Sequence, residues 1–134
     1  MLQRRARVSR LLSESLSAEV SVVTVMIQLD PAHLSNPDLD IRYRLPDLLV
    51  ERSSGRLTDD GYDYAGVGPA PCLLLFLKTD DPSSAIPGII EVLNSERVLE
   101  NDLSRVPVAV EDGDNFQVVY PPGFEGTFLR PAGR

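Results

Sequence analysis

The sequence predicts an α+β fold in which one mostly antiparallel sheet carries two helices. Two stretches, "VSVVTVMIQLD" and "PCLLLFLKTD", are strand-length runs of β-branched or apolar residues. Two others, around "LPDLLVER" and "SSAIPGIIEVL", repeat leucine or isoleucine at helical spacing. The chain has 134 residues, 43% of them hydrophobic and 25% charged, which is the composition and size of one globular domain.

The first half predicts a strand, a helix and a second strand. Strand one covers residues 20–29 and is apolar on both faces, which is typical of a central strand. A turn and irregular segment follows at 31–44, because Pro46 inside a longer helix would cost about 3 kcal/mol. The helix is therefore predicted from Pro46 to residue 54, ended by a left-handed Gly55. The stretch "RLTDDGYDYAG" then predicts a strand interrupted at Asp60-Gly61.

The second half predicts a buried strand, a helix and a hairpin. "PCLLLFLKTD" is apolar without alternation, as in a strand covered on both faces. The second helix begins with Asp81 as N-cap and Pro82 as first residue, with a kink or a separate first turn at Pro87. "RVPVAVEDGDNFQVVYPP" is a hairpin that turns at Asp112-Gly113, with Asp114 and Asn115 in a slightly longer loop.

The predicted order is β-α-β-β-α-β-β, in which a hairpin separates two βα units. This is the split βαβ plan, and it predicts a ferredoxin-like sandwich with both helices on one face of the sheet. The last strand would extend one edge. Residues 19–122 form the predicted domain, between a flexible basic tail at 1–18 and an extended tail at 123–134 in which Phe124 and Phe128 can pack back.

The net charge of −7 is unevenly distributed. Residues 1–18 sum to +3, so the remainder sums to −10. An acidic body repels nucleic acids and anionic membranes and favours a basic partner. The composition of residues 1–18 also resembles a transit peptide, so a targeting peptide, a tail and an early start codon stay open. The single cysteine, Cys72, allows no intramolecular disulfide, which favours a reducing, cytoplasmic location.

The residue types predict no enzyme, no metal and no cofactor. A zinc site needs three or four ligands, drawn mainly from histidine and cysteine, and this chain has only His33 and Cys72. In "TDDGYDYAG" the glycine comes too early for a calcium loop. Carboxylates could still provide acid–base chemistry, but they would need a walled cavity that raises one pKa. The candidate pairs are Asp38 with Asp40, and Asp60 with Asp63.

Residues 45–95 resemble a pattern found in small uncharacterised bacterial α+β proteins. A leucine-rich helix (Leu45–Val50) leads to a short Asp-Gly strand (Asp60-Gly61). An apolar strand (Leu73–Leu77) then ends in an aspartate that opens the second helix (Asp80–Pro82). The resemblance implies the fold and brings no activity. Some bacterial toxin-immunity proteins are similar in being small, acidic and α+β.

These features predict a non-enzymatic module that binds a basic protein or a second copy of itself, and an immunity-type inhibitor is the most concrete form. Tyrosines anchor interfaces and carboxylates meet basic residues, so the predicted contact patch lies in residues 57–66. Its members are Asp59, Asp60, Tyr62, Asp63 and Tyr64. Two alternatives stay open: a homodimer with a carboxylate-lined cleft that binds or converts a small molecule, and a plain edge strand whose aspartates discourage pairing.

Overall fold

The computed structural model describes residues 22–66 and 71–129, so the predicted N-terminal tail and the start of the first strand at Val20 lie outside it. Within these ranges the protein is α+β with a mostly antiparallel sheet, as predicted. The elements are β1 (Val23–Leu29), a 3₁₀ turn (Pro31–His33), α1 (Ile41–Arg52), β2 (Thr58–Ala65), β3 (Cys72–Thr79), α2 (Pro82–Ser95), β4 (Arg97–Val98), β5 (Asn101–Asp102), β6 (Val108–Asp112) and β7 (Asn115–Tyr120).

In residues 22–66 and 71–129, five strands form one sheet in the order β2-β3-β1-β6-β7, and β4 pairs with β5 in a separate two-stranded sheet. Every neighbouring pair in the large sheet is antiparallel. The predicted central position of β1 is confirmed, as is the edge position of the last strand, and β2 lies at the other edge of the described sheet. The β4–β5 hairpin was not predicted. Its two turn residues, Leu99 and Glu100, have φ of 52° and 68° without being glycine, so no turn signal marks it in the sequence.

Side chains of the central strands alternate between two apolar clusters. Val25 and Ile27 belong to the first cluster, whereas Met26, which lies between them, belongs to the second. The helices join the first cluster through Ile41, Leu45, Leu49, Ala85, Ile89, Val92 and Leu93. The continuous apolar runs in β1 and β3 are explained by this alternation, because both faces of these strands are buried.

Helix α1 begins earlier than predicted. It starts at Ile41, so it includes part of the segment 31–44 predicted to be irregular, and Pro46 lies inside it. Proline in a helix interior costs about 3 kcal/mol. Burial of Ile41, Leu45 and Leu49, each at most 2% exposed, contributes about 1.5–3 kcal/mol per side chain and outweighs that cost. The prediction that Pro46 starts the helix is therefore wrong.

Other boundaries follow the sequence more closely. Gly55 has φ of 86° after α1, and α2 begins at Pro82 as predicted. Pro87 lies inside a continuous α2, so the alternative of a separate first turn is wrong. The final hairpin has only Gly113 and Asp114 between its paired ends, a tighter turn than predicted.

The second apolar cluster is covered by the C-terminal segment. Phe128 and Leu129 pack against Met26, Leu74 and Phe76. The buried amide of Gln28 holds this segment, since its Nε2 donates to the Thr127 carbonyl at 3.2 Å and its Oε1 accepts from the Leu129 N–H at 2.7 Å. The face of the sheet that carries this cluster is therefore covered by the chain itself. No helix in the described ranges is long and apolar enough to cross a membrane.

Candidate functional site

The predicted contact stretch forms β2, which, among the strands of the described residues, has a hydrogen-bonded neighbour on one side only. Its register on β3 shifts between Asp59 and Tyr62, where Gly61 adopts φ of 92°. A residue with a side chain strongly disfavours this conformation, so the glycine permits a bulge at this point. The predicted interruption of the strand at Asp60-Gly61 is confirmed.

The bulge places the two tyrosines of β2 beside each other, facing helix α1. Tyr62 pairs with Leu75 and Tyr64 with Leu73, and both leucines belong to the cluster that the helices share. The Tyr62 ring lies edge-on to Tyr64 at 6.0 Å between centroids and edge-on to Tyr43 of α1 at 6.2 Å. All three stay accessible, with 48%, 40% and 39% of Tyr43, Tyr62 and Tyr64 exposed.

Arg42 completes this cluster. Its guanidinium carbon lies 4.7 Å from the Tyr43 ring centroid and 5.4 Å from that of Tyr62, within cation–π distance of both. Its Nε atom is buried and has no hydrogen-bond partner within the part of the chain that the structure describes. We call Arg42, Tyr43, Tyr62 and Tyr64 the tyrosine patch. Its members hold each other in place from two different elements of the fold.

The hydroxyl groups of the patch also interact. Contact with the Arg42 guanidinium, and then with the Tyr62 hydroxyl, lowers the pKa of Tyr43. Contact with Tyr43 raises the pKa of Tyr62. The two shifts have opposite directions because a positive charge favours the Tyr43 phenolate, while a phenolate at Tyr43 disfavours a second one beside it.

The aspartates of the predicted patch have other roles. Asp59 Oδ1 accepts from the Gly61 N–H at 2.9 Å, and Asp63 Oδ1 accepts from the Tyr64 N–H at 2.8 Å. Asp60 lies 3.9 Å from the ammonium group of Lys78. Two of the three carboxylates therefore accept hydrogen bonds from backbone N–H groups of the edge strand. This is the arrangement expected of an edge that resists pairing with another strand.

Three of the five predicted contact residues thus lie outside the tyrosine patch, and two patch members were missed. Lys78 alternates along β3 with residues of the helix-side cluster, so Asp60, which lies beside it, is on the side opposite the tyrosines. Arg42 and Tyr43 were missed because residues 31–44 were predicted to be irregular. The spacing of Ile41, Leu45 and Leu49 was the available signal for a longer helix.

The single cysteine is half-buried, and the single histidine is exposed. Cys72 is half-buried, and burial, with the charge of Asp30, raises the pKa of its thiol. A raised pKa leaves little thiolate at neutral pH, and the thiolate is the nucleophile. The His33 side chain is 82% exposed, 3.8 Å from Asp30. Neither residue is placed as a nucleophile or a general base.

Carboxylates do line one groove of about 830 Å³ beside the C-terminal segment. They are Asp30, Asp102 and Glu125. Hydrogen bonds from the backbone and hydroxyl of Ser104 lower the pKa of Asp102, so this group stays ionised and cannot act as a general acid at neutral pH. Of the predicted pairs, Asp38 accepts from the Asp40 N–H, the role of a helix-start turn. The described residues contain no cluster of three or more side chains suited to a metal ion.

Comparison with known proteins identifies no relative. No family model matches the chain, and neither the curated proteins nor the solved structures include a match.

Proposed function

We propose that this protein is a non-enzymatic binding module whose tyrosine patch contacts a basic partner protein. The observation that carries the proposal is the cluster itself: three accessible tyrosine rings and one guanidinium, drawn together from α1 and β2 beside an open sheet edge. Tyrosine and arginine are the residue types most enriched at the energetic centres of protein interfaces.

Pre-organisation supports this function. The rings already contact one another edge-to-face, so little side-chain freedom remains to be lost when a partner binds. Each ring has a hydrocarbon body to bury and a hydroxyl to donate or accept a hydrogen bond. Three such side chains with about 40–50% exposure can lose substantial surface to a partner.

Charge around the patch favours a basic partner. Asp40 lies close enough to act electrostatically on the Tyr43 hydroxyl, and Asp47 follows Tyr43 by one helical turn. Asp59 is exposed on the adjoining strand and pairs with Leu77 of the helix-side cluster, so it lies on the same face as the tyrosines. Cationic side chains of a partner would meet these carboxylates at the rim and tyrosine faces at the centre. An immunity-type inhibitor of a basic toxin is the most specific form of this proposal.

We also infer a contact through side chains and not through strand addition. Strand addition needs free N–H and C=O groups along the edge. On β2, the amides of Gly61 and Tyr64 are engaged by Asp59 and Asp63. The bulge at Gly61 further interrupts the register that an added strand would follow.

At the level of the fold, we infer a ferredoxin-like arrangement extended by one strand. The strand order β2-β3-β1-β6 and the antiparallel pairings support it, as does the presence of residues from both helices in one apolar cluster. In this arrangement the patch lies where the helix layer meets the β2 edge.

The test is comparative capture followed by direct affinity measurement. The wild-type chain and the variant Tyr43→Ala/Tyr62→Ala/Tyr64→Ala serve as bait in lysate of the source cell. A matched control changes three exposed residues of α2, Glu91→Ala/Asn94→Ala/Ser95→Ala. We expect a basic protein to bind the wild type and the control and to be lost from the patch variant. With that protein purified, calorimetry is expected to show an affinity loss of about 100-fold or more, since interface anchors cost about 2 kcal/mol each.

Two outcomes would overturn the proposal. One is a partner that binds the patch variant as tightly as the wild type, and the other is recovery of no partner by any of the three baits. Light scattering decides the alternative of a homodimer: a dimer that dissociates in the patch variant would assign the patch to self-association instead.

A further inference from the structure

We propose that the C-terminal segment is a displaceable internal ligand, and that the sheet face beneath it binds an extended peptide of a partner protein in which an aromatic residue precedes an aliphatic one. We call residues 121–129 the strap. The strap covers the second apolar cluster, whereas the tyrosines of β2 lie on the face that carries the first. The inference therefore concerns a different face from the tyrosine patch and does not depend on the function proposed there.

One buried side chain of the sheet recognises the main chain of the strap. Gln28 is only 7% exposed. Its amide nitrogen donates to the Thr127 carbonyl at 3.2 Å, and its amide oxygen accepts from the Leu129 N–H at 2.7 Å. Almost any extended segment offers a carbonyl and an N–H group at this separation. Gln28 can therefore bind a peptide from another protein through the same two hydrogen bonds.

Two side chains of the strap show which sequence the face accepts. Phe128 lies edge-on to Phe116 of β7, with 5.6 Å between the ring centroids. Leu129 packs on the second cluster and lies beside Gly66, just after β2, where a Cβ atom would be 3.2 Å from the leucine Cδ1. The strap thus crosses the sheet from one edge strand towards the other. A peptide with an aromatic residue followed by leucine would make the same contacts.

Few contacts hold the strap. Within residues 22–66 and 71–129, it forms no helix or strand, and the hydrogen bonds that join it to the sheet are the two of the Gln28 amide. All nine of its residues are half-buried or exposed, and residues 121–127 border the groove of about 830 Å³. Ordering nine residues costs conformational entropy, which these contacts oppose. Weakly held segments open locally, without unfolding of the domain.

Peptide binding to the full chain tests the competition. The probe is a fluorescein-labelled, C-terminally amidated peptide of residues 121–129, and its binding is measured by fluorescence anisotropy. In the wild type the tethered strap competes with the probe. The variant Phe128→Ser/Leu129→Ser weakens the strap, so it is expected to bind the probe about tenfold or more tightly than the wild type. The matched control, Glu125→Ser/Thr127→Ser, changes two exposed strap residues and is expected to bind as the wild type does.

A change in the sheet should act in the opposite direction. The variant Gln28→Ala/Phe128→Ser/Leu129→Ser lacks the two hydrogen bonds to the peptide main chain. It is expected to bind the probe about tenfold more weakly than Phe128→Ser/Leu129→Ser. An unlabelled peptide that carries Phe128→Ser and Leu129→Ser is expected not to displace the probe. These opposite effects separate binding at this face from non-specific adhesion.

Hydrogen exchange of the wild-type protein tests the opening of the strap without any substitution. The Leu129 N–H is expected to exchange through local opening, and therefore faster than the N–H groups of Val25 and Ile27 in β1. Unlabelled peptide at about 1 mM is expected to speed exchange at Leu129 about twofold or more, because it occupies the face while the strap is open. Exchange at Val25 and Ile27 is expected not to speed up.

Three results would overturn the proposal. The first is exchange at Leu129 as slow as at Val25 and Ile27, since the strap would then open only when the whole domain unfolds. The second is unchanged probe affinity in Phe128→Ser/Leu129→Ser, with near-ultraviolet circular dichroism that matches the wild type. The third is a wild-type dimer in light scattering that dissociates in this variant, which would assign the face to the strap of a second copy.

Discussion

Asn101→Ala is expected to be among the most destabilising polar substitutions in this protein. The Asn101 side chain is fully buried, at 0% exposure, in the short β4–β5 hairpin. Its Oδ1 accepts from the Asn36 N–H at 2.8 Å. Its Nδ2 donates to the Asn36 carbonyl at 2.8 Å and to the Val98 carbonyl at 3.2 Å. One side chain thus joins the segment before α1 to the chain after α2.

The magnitude follows from the groups that alanine leaves without partners. Three hydrogen bonds are lost, each worth about 1 kcal/mol net. Asn36 is half-buried, so water can reach its backbone and the cost stays below the full desolvation penalty. The same change removes support from Leu99 and Glu100, which lie in the left-handed region. We expect a loss of about 3 kcal/mol in the free energy of unfolding.

Urea denaturation followed by circular dichroism measures this loss, with the slope m checked against the wild type. The matched control is Asn94→Ala, which also removes an amide but from an exposed position. Asn94 donates to the Ile90 carbonyl and to the Tyr120 hydroxyl, and its loss is expected to cost below about 1 kcal/mol. Equal losses for the two variants would refute the reasoning from burial.

Three further predictions concern α1 and α2. Arg42→Gln removes the guanidinium that lowers the pKa of Tyr43, so absorbance at 295 nm should show that tyrosine titrating at higher pH; an unchanged curve contradicts this. A hydrogen bond from the hydroxyl of Ser83 is the largest cause that lowers the pKa of Asp81 below its unfolded value, with smaller contributions from Ser84 and Arg56. The ionised Asp81 side chain therefore stabilises the fold at pH values above the unfolded pKa, and this stabilisation is lost as pH falls through the folded pKa. Asp81→Asn should therefore be less stable than the wild type at pH 7, and the difference should shrink as pH falls through the folded pKa of Asp81; a difference that does not shrink in acid would argue against the linkage. Pro87→Ala restores a helix donor at an exposed position and should raise the free energy of unfolding by about 1–2 kcal/mol, whereas a lower denaturation midpoint would contradict this.

The strands and helix ends that could be predicted are those whose local sequence pattern matches the burial or backbone conformation found in the structure. The uninterrupted apolar runs of β1 and β3 fit only strands buried on both faces, and the alternation between two clusters explains why. Asp60-Gly61 marked the break in β2, because only the glycine adopts φ of 92° without strain. Pro82 marked the start of α2 because a proline is favourable there.

Other features depend on contacts distant in sequence. The proline rule fails at Pro46 because burial of neighbouring side chains in the core outweighs its local cost. The tyrosine patch depends on the contact between Tyr43 of α1 and Tyr62 of β2, and no spacing of residues in the sequence indicates that contact. The cover over the second cluster rests on Gln28 and residues about 100 positions later, in a segment without any period.

The most direct test of the central claim is a tyrosine footprint of the complex with the basic partner. Nitration by tetranitromethane, read by peptide mass spectrometry, reports each of the four tyrosines separately. Tyr120 is an internal control, since it is half-buried and its hydroxyl donates to the Ser104 carbonyl at 2.6 Å. We expect the partner to protect Tyr43, Tyr62 and Tyr64 and to leave Tyr120 unchanged. Unaltered nitration of all three patch tyrosines in a saturated complex would contradict it.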